Sequence, residues 1–217
     1  GDDARGMGKV LTEHEDIAKF TFTGSTGVGK SLISQCASTV KKVSMELGGN
    51  APFIVFDDAD IDSAVGGAML ANFYSTGQVC SNGTRVFVHE SIRDQFVEKL
   101  VARTEAMIIG DPMDEQTQMG PLVSAEHFKK VEAYYKAAPS QGECLYDGGI
   151  PQIQGFENGN WIAPAIYQPK DDNQPIAREE IFGPLLSLFT FSEEDEVTVR
   201  ANDTQFGLAA GVYTADL

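Results

Sequence analysis

The sequence predicts an α/β fold, and three observations carry that expectation. Short runs of β-forming residues alternate with stretches of helical apolar spacing along most of the chain. A glycine-rich turn, Gly24-Ser25-Thr26-Gly27-Val28-Gly29, joins the first such run to the first such stretch, as in a parallel strand–helix–strand unit. No internal repeat or low-complexity tract interrupts the alternation.

In order, residues 17–23 read as a strand rich in β-formers. The glycine turn ends it, and a helix follows with Leu32, Ile33 and Cys36 on its inner face. Residues 43–47 form a second strand, closed by Gly48-Gly49. A third strand, 52–56, leads into Asp57-Asp58-Ala59-Asp60, an acidic helix start. Ile61, Ala64, Val65, Ala68, Met69 and Phe73 recur at helical spacing, so that helix runs to about Tyr74. Gly77-Gln78-Val79-Cys80 breaks the pattern, and 84–88 resumes as a strand. Ile92, Phe96, Leu100 and Met107 mark an amphipathic helix capped by Ser91. A loop with Pro112, Gly120 and Pro121 precedes a helix over 125–138. Residues 142–159 are glycine-rich, a surface hairpin or loop. Strands are expected over 161–167, 185–191 and 209–213, with a helix over 193–202.

Composition narrows the function classes. The chain is 42% hydrophobic and 22% charged, ordinary for a soluble globular protein with a core to bury. Sixteen Lys and Arg against 32 Asp and Glu give a net charge of −16, which repels phosphate backbones and anionic membranes. Neither nucleic acid nor membrane is an expected partner. No apolar run reaches the roughly 18–20 residues of a membrane span, and residues 1–5 lack the features of a secretory signal; a cytoplasmic location is expected. Cys36, Cys80 and Cys144 lie far apart with no CxxC pair, against a disulfide framework or a zinc site. His14, His89 and His127 are isolated, so no metal is expected.

The glycine turn admits two readings. Gly24 to Ser31 fits the phosphate-loop pattern GxxxxGK[ST], and Phe53-Ile54-Val55-Phe56-Asp57 imitates the apolar strand whose Asp holds magnesium in ATPases and GTPases. Backbone N–H groups at a helix start would hold the pyrophosphate of a dinucleotide equally well. The turn by itself does not choose the anion.

The remaining motifs supply a choice. Phe22-Thr23-Gly24-Ser25-Thr26 with Gly29, then Met45-Glu46-Leu47-Gly48-Gly49, Gly77-Gln78-Val79-Cys80 and Glu179-Glu180-Ile181-Phe182-Gly183-Pro184 follow one another in register. Together they resemble the aldehyde dehydrogenase superfamily. The resemblance implies a parallel-rich catalytic sheet flanked by helices, preceded by a partial Rossmann-like βαβ unit. It makes 1–47 a partial NAD-binding domain and 48–217 the cysteine-bearing catalytic domain, incomplete toward the C-terminus.

What the resemblance implies chemically attaches to particular residues. Cys80 is the nucleophile: its thiolate attacks an aldehyde carbonyl, hydride passes to the nicotinamide, and a thioester remains. Glu46 is the general base that activates water to hydrolyse that thioester. Gly24, Ser25 and Gly29 would meet the cofactor pyrophosphate, and Leu47 would seat the nicotinamide carboxamide. Glu180 would hold a ribose, with Phe182 packed near the nicotinamide. Cys36 and Cys144 are expected to be buried and structural, Lys30 an ordinary helix residue and Asp57 a helix cap. The cofactor is NAD, with NADP equally open to this stretch of sequence.

The segment from Ala71 to Val88, with Arg178-Glu179-Glu180 and Ala201-Asn202-Asp203-Thr204, resembles the betaine aldehyde branch of that family. Tyr74 stands where that branch places a pocket aromatic, and its ring suits a quaternary ammonium group through cation–π attraction. A tyrosine buried at the helix end is the other reading of this position. A 4-trimethylaminobutyraldehyde dehydrogenase would need the same pocket. The resemblance also implies that the chain is part of a longer protein, a homo-oligomer when whole, and the piece alone could be catalytically inert.

Overall fold

The computed structural model describes residues 3–216. The chain divides into two compact units, Gly1–Gly48 and Gly49–Leu217.

The first unit opens with a helix absent from the expectations above, α1 (Ala4–Glu13), capped by the Asp3 carboxylate. Strand β1 (Lys19–Thr23), helix α2 (Thr26–Cys36) and strand β2 (Lys42–Glu46) follow. The two strands pair in parallel, Lys19 against Lys42 through Thr23 against Glu46, so the expected βαβ unit is present. Cys36 and Leu32 are buried in it, but Ile33 points to solvent. Spacing alone does not separate Leu32 from Ile33, since Ile33 also stands four residues from Gly29 and three from Cys36; the packing buries Leu32 and leaves Ile33 outside.

The second unit is a six-stranded sheet in the order β5-β6-β7-β4-β3-β8. Its strands are β3 (Pro52–Val55), β4 (Arg85–His89), β5 (Gly142–Asp147), β6 (Ala165–Pro169), β7 (Leu185–Phe191) and β8 (Gly211–Tyr213). All pairings among these strands are parallel except that of β5 with β6. The helices are α3 (Ile61–Phe73), α4 (Arg93–Glu105), α5 (Ala125–Gln141), α6 (Pro175–Arg178) and α7 (Glu194–Asn202).

Both faces of this sheet are covered, which explains why its central strands read as continuous apolar runs. Phe53, Val55, Val86, Val88, Leu186 and Leu188 pack with Ala64, Val65 and Ala68 of α3 and Phe96 and Leu100 of α4. The alternate residues Ile54, Phe87 and Phe189 face Val197 and Ala201 of α7, as the two-residue period of a strand requires. A third cluster seats α5 through Val131, Tyr135 and Ala138 against Tyr167, Ile181 and Leu185.

Several expectations need correction. Asp60, not Asp57, caps α3: its carboxylate accepts from the Ser63 N–H at 2.8 Å, and hydrogen bonding from the Ser63 side chain, then from that N–H, lowers its pKa from the usual carboxylate value. Ser91 does not cap α4. It sits in a short 3-10 turn, Glu90–Ile92, and its N–H donates to the His89 ring. Met107 lies beyond α4. The strand expected over 161–167 is displaced to β6, because Trp161 to Pro164 are buried without strand pairing. Residues 142–147 are a true edge strand, and Cys144 on it is exposed rather than buried. The phosphate-loop reading fails on topology: β1 pairs with β2, whereas the strand ending before Asp57 pairs with β4 and β8 in the other sheet.

Candidate active site

In the first unit, five of the singled-out residues gather where β1 and β2 end. The Gly24 N–H donates to the Glu46 carbonyl at 3.0 Å, extending the strand pairing into the turn. Ser25 is the N-cap of α2, its hydroxyl accepting from the Val28 N–H at 3.4 Å. Gly29 is buried, and a β-carbon there would lie 2.5 Å from the Leu47 side chain. Leu47 therefore packs directly on the first turn of α2. Gly24, Ser25 and Glu46 are exposed, leaving the helix start and the strand-end carboxylate accessible. Free amides and a helix dipole at such an end suit an anion.

In the second unit, the break after α3 is a strained loop. Ser75, Thr76 and Gly77 all have positive φ, at 52°, 58° and 72°, a conformation that costs non-glycine residues of order 1 kcal/mol or more each. It is held from several sides. The Thr76 hydroxyl donates to the Gly120 carbonyl at 3.0 Å. The Gln78 side chain accepts from the Val123 N–H at 3.0 Å. Gly77 presses so closely on the next motif that a β-carbon would stand 2.3 Å from the Gly183 carbonyl carbon. Cys80 follows, half-buried, on a loop rather than within a packed helix face.

Beneath Cys80 runs the start of β3. A β-carbon on Gly49 would lie 2.2 Å from the Cys80 carbonyl oxygen, so only glycine fits there. The Gly49 N–H donates to a Glu180 carboxylate oxygen at 3.1 Å. Asn50, 2% exposed, bonds the Ala177 carbonyl at 2.9 Å and accepts from the Thr84 hydroxyl at 2.5 Å. Arg85, also buried, fixes the same segment: its Nε donates to the Asn50 carbonyl at 3.0 Å. Its two terminal nitrogens reach the Arg200 and Ala201 carbonyls, at 3.2 and 2.9 Å, near the C-terminal end of α7. Burial, and secondarily the Arg178 charge, lowers the Arg85 pKa from its ordinary value.

The strap formed by residues 179–184 is tied to α5 by a stripe at helical spacing. His127 Nε2 lies 2.6 Å from the Phe182 carbonyl oxygen. Lys130 donates to the Glu180 carbonyl at 3.1 Å, and the Tyr134 hydroxyl to Glu179 at 2.6 Å. Burial and the Glu179 carboxylate push the Tyr134 hydroxyl well above the usual tyrosine pKa. Phe182 itself adopts φ 61°. Gly49 thus links the Cys80 backbone with the Glu180 carboxylate, and Gly77 sets the cysteine loop against Gly183, next to Phe182 in the chain. Sequence reasoning missed Asn50, Arg85 and His127; for Gly49, the glycine pair at 48–49 already hinted at a close approach.

Tyr74 is 65% exposed at the end of α3. It borders a hollow with Met69, Leu70, Phe73, Met107 and Gln118, a mostly apolar surface with two thioethers, one amide and no charge. Among the described residues, no group of three or more potential metal ligands converges, and no helix is long and apolar enough to cross a membrane.

Residues 2–217 match the sequence pattern described as the Aldehyde dehydrogenase family. Proteins named betaine aldehyde dehydrogenase from Brucella ovis and Brucella canis are 56% identical over 212 residues, 97% of this chain and 44% of theirs. The crystal structure of a putative aldehyde dehydrogenase from Burkholderia cenocepacia matches with a TM-score of 0.94 at 40% identity, covering 97% of this chain and 43% of that one. A betaine aldehyde dehydrogenase from Staphylococcus aureus, crystallised with NAD+, matches at 0.92 and 35% identity, covering 96% and 42%. The chain therefore spans less than half the length of the relatives it matches.

Proposed function

The chain belongs to the aldehyde dehydrogenase family, and from that premise we propose that it is the cysteine-bearing part of an NAD-dependent enzyme that oxidises an aldehyde to its acid. The observation that carries the proposal is the setting of Cys80: half-buried, on a loop whose backbone is fixed against Gly49 on one side and Gly183 on the other. A nucleophile held this way meets its substrate without first paying to be ordered.

The Cys80 thiolate adds to the aldehyde carbonyl carbon to give a thiohemiacetal alkoxide. Loss of hydride from that alkoxide carbon, to the acceptor that a bound nicotinamide would supply, would leave a thioester on Cys80. Glu46, at the end of β2, takes a proton from water as that water adds to the thioester. The carboxylate product leaves and the thiolate is restored. NAD supplies the hydride acceptor. Gly24, Ser25 and Gly29 at the start of α2 would hold its pyrophosphate, Leu47 would seat the nicotinamide, and Glu180 and Phe182 would orient the nicotinamide ribose and ring. The accessible helix start and the link from Glu180 through Gly49 to Cys80 support these roles.

Betaine aldehyde is the substrate we favour. The exposed Tyr74 ring beside methionines suits a trimethylammonium group, which binds aromatic faces and soft apolar surface; the names of the most similar relatives point the same way. The test uses the full-length protein. NADH formation with betaine aldehyde should vanish in Cys80→Ala. Glu46→Gln should keep a first burst of NADH and lose steady turnover. Equal kcat/KM for betaine aldehyde and a simple aliphatic aldehyde would reject the substrate assignment while leaving the reaction class intact.

A further inference from the structure

Asn82 closes the loop that carries Cys80. Its side chain is 6% exposed, and Nδ2 donates to the Gly77 carbonyl at 2.9 Å. Its own N–H reaches the Val79 carbonyl at 3.3 Å, and its carbonyl accepts from the Ala51 N–H at 3.3 Å. The six residues from Gly77 to Asn82 thus form a ring closed by one buried side-chain amide, with Cys80 inside it. Gly77 is already pinned against Gly183 and Pro184, and Ala51 belongs to the segment that passes under Cys80. Asn82 therefore ties both flanks of the cysteine to the two pieces of backbone that confine it.

We propose that Asn82 is a positioning residue for the Cys80 thiol. It acts through the backbone and touches neither aldehyde nor cofactor. The inference rests on the reading of Cys80 as nucleophile. Asparagine suits the place because its amide donates to a buried carbonyl without carrying charge. Aspartate, the same size, would turn an acceptor toward the Gly77 oxygen unless protonated, and alanine would leave that oxygen without its partner. Displacing a nucleophile by about 1 Å can cost on the order of 100-fold in rate, so a loosened loop should register in the chemistry.

The experiment uses the full-length protein and two variants, Asn82→Ala and Asn82→Asp. Two quantities are read at a temperature well below each variant's Tm: kcat and KM for NAD, and the rate at which iodoacetamide alkylates Cys80. Both variants should lose about 10- to 100-fold in kcat with KM for NAD within about twofold, and the alkylation rate should change in step. In Asn82→Asp the deficit, taken as a ratio to wild type at each pH, should shrink as pH falls, because a protonated carboxyl again donates to Gly77. A purely structural asparagine would lower Tm and leave the alkylation rate and its pH ratio unchanged; that result overturns the proposal, as does failure of both variants to fold. Cys80→Ser keeps the two claims apart. If it retains turnover, the nucleophile assignment itself is wrong. If it is inactive while both Asn82 variants match wild type, only the positioning role falls.

Discussion

Gly49 and Cys80 are in backbone contact, so close that a single methyl group on Gly49 would overlap the cysteine's carbonyl oxygen. The same glycine's N–H holds the Glu180 carboxylate. One peptide unit thus connects the loop of the proposed nucleophile with the strap proposed to hold the cofactor. Gly49→Ala should therefore lower kcat by about 10- to 100-fold, measured as NADH formation by the full-length protein, and should lower Tm as well. Wild-type turnover in this variant would mean that the loop shifts freely and that the contact does not govern the thiol.

Gly77 offers a test of stability rather than rate. Its φ of 72° and its contact with Gly183 both oppose a side chain, so Gly77→Ala should cost about 1–3 kcal/mol in denaturant unfolding. Gly27 provides the contrast. It lies in α2, where a β-carbon would meet nothing within 4 Å, and Gly27→Ala should stabilise by about 0.5–1 kcal/mol through helix propensity. Equal effects of the two substitutions would contradict the packing described.

Arg85 is buried with three carbonyl partners from two segments. Arg85→Met keeps much of the apolar stem and leaves those carbonyls without their charged donor. A loss of about 3 kcal/mol is expected. Arg85→Lys should recover only part of it, since a single ammonium cannot span the fork of contacts. Chemical denaturation of both variants gives the comparison.

Alkaline pH should weaken the second unit through Tyr135. This hydroxyl is fully enclosed and donates to the Ala163 and Pro184 carbonyls at 2.7 and 2.9 Å; burial raises its pKa well above the usual tyrosine value near 10. A raised folded-state pKa means that the neutral form stabilises the fold fully below the unfolded-state pKa. That contribution is lost as pH rises above about 10 toward the folded value. Tyr135→Phe should flatten this alkaline decline while lowering stability at neutral pH by about 1–2 kcal/mol. An unchanged slope of stability between about pH 10 and 11 would show that other groups set the alkaline limit.

Much of this arrangement is legible in the amino-acid order, for physical reasons. The central strands stand out because both of their faces are buried, and α3 because Ala64, Val65 and Ala68 repeat at helical spacing. The glycines of the motifs at 46–49 and 77–80 stand out because Gly49 and Gly77 sit where a β-carbon would meet the backbone of another segment. The helix α1 is missed although Met7, Val10 and Leu11 recur at spacings of three and four after the Asp3 cap. Strand β6 lies later than its residues suggest because Trp161 and Ile162 are as apolar as a strand yet bury without a ladder. The roles of Asn82, Arg85 and His127 are hidden because each depends on a carbonyl 5, 35 or 55 positions away in sequence, and carbonyls leave no trace in residue type.

The left-handed residues around Cys80 carry a broader consequence. Ser75, Thr76 and Phe182 hold a backbone shape that their own side chains disfavour, so the surrounding contacts hold this region under tension. Replacing the exposed Ser75 with glycine would relax that tension and raise resistance to heat, while allowing the cysteine loop more shapes. Engineering for robustness and selection for turnover would then pull this position in opposite directions.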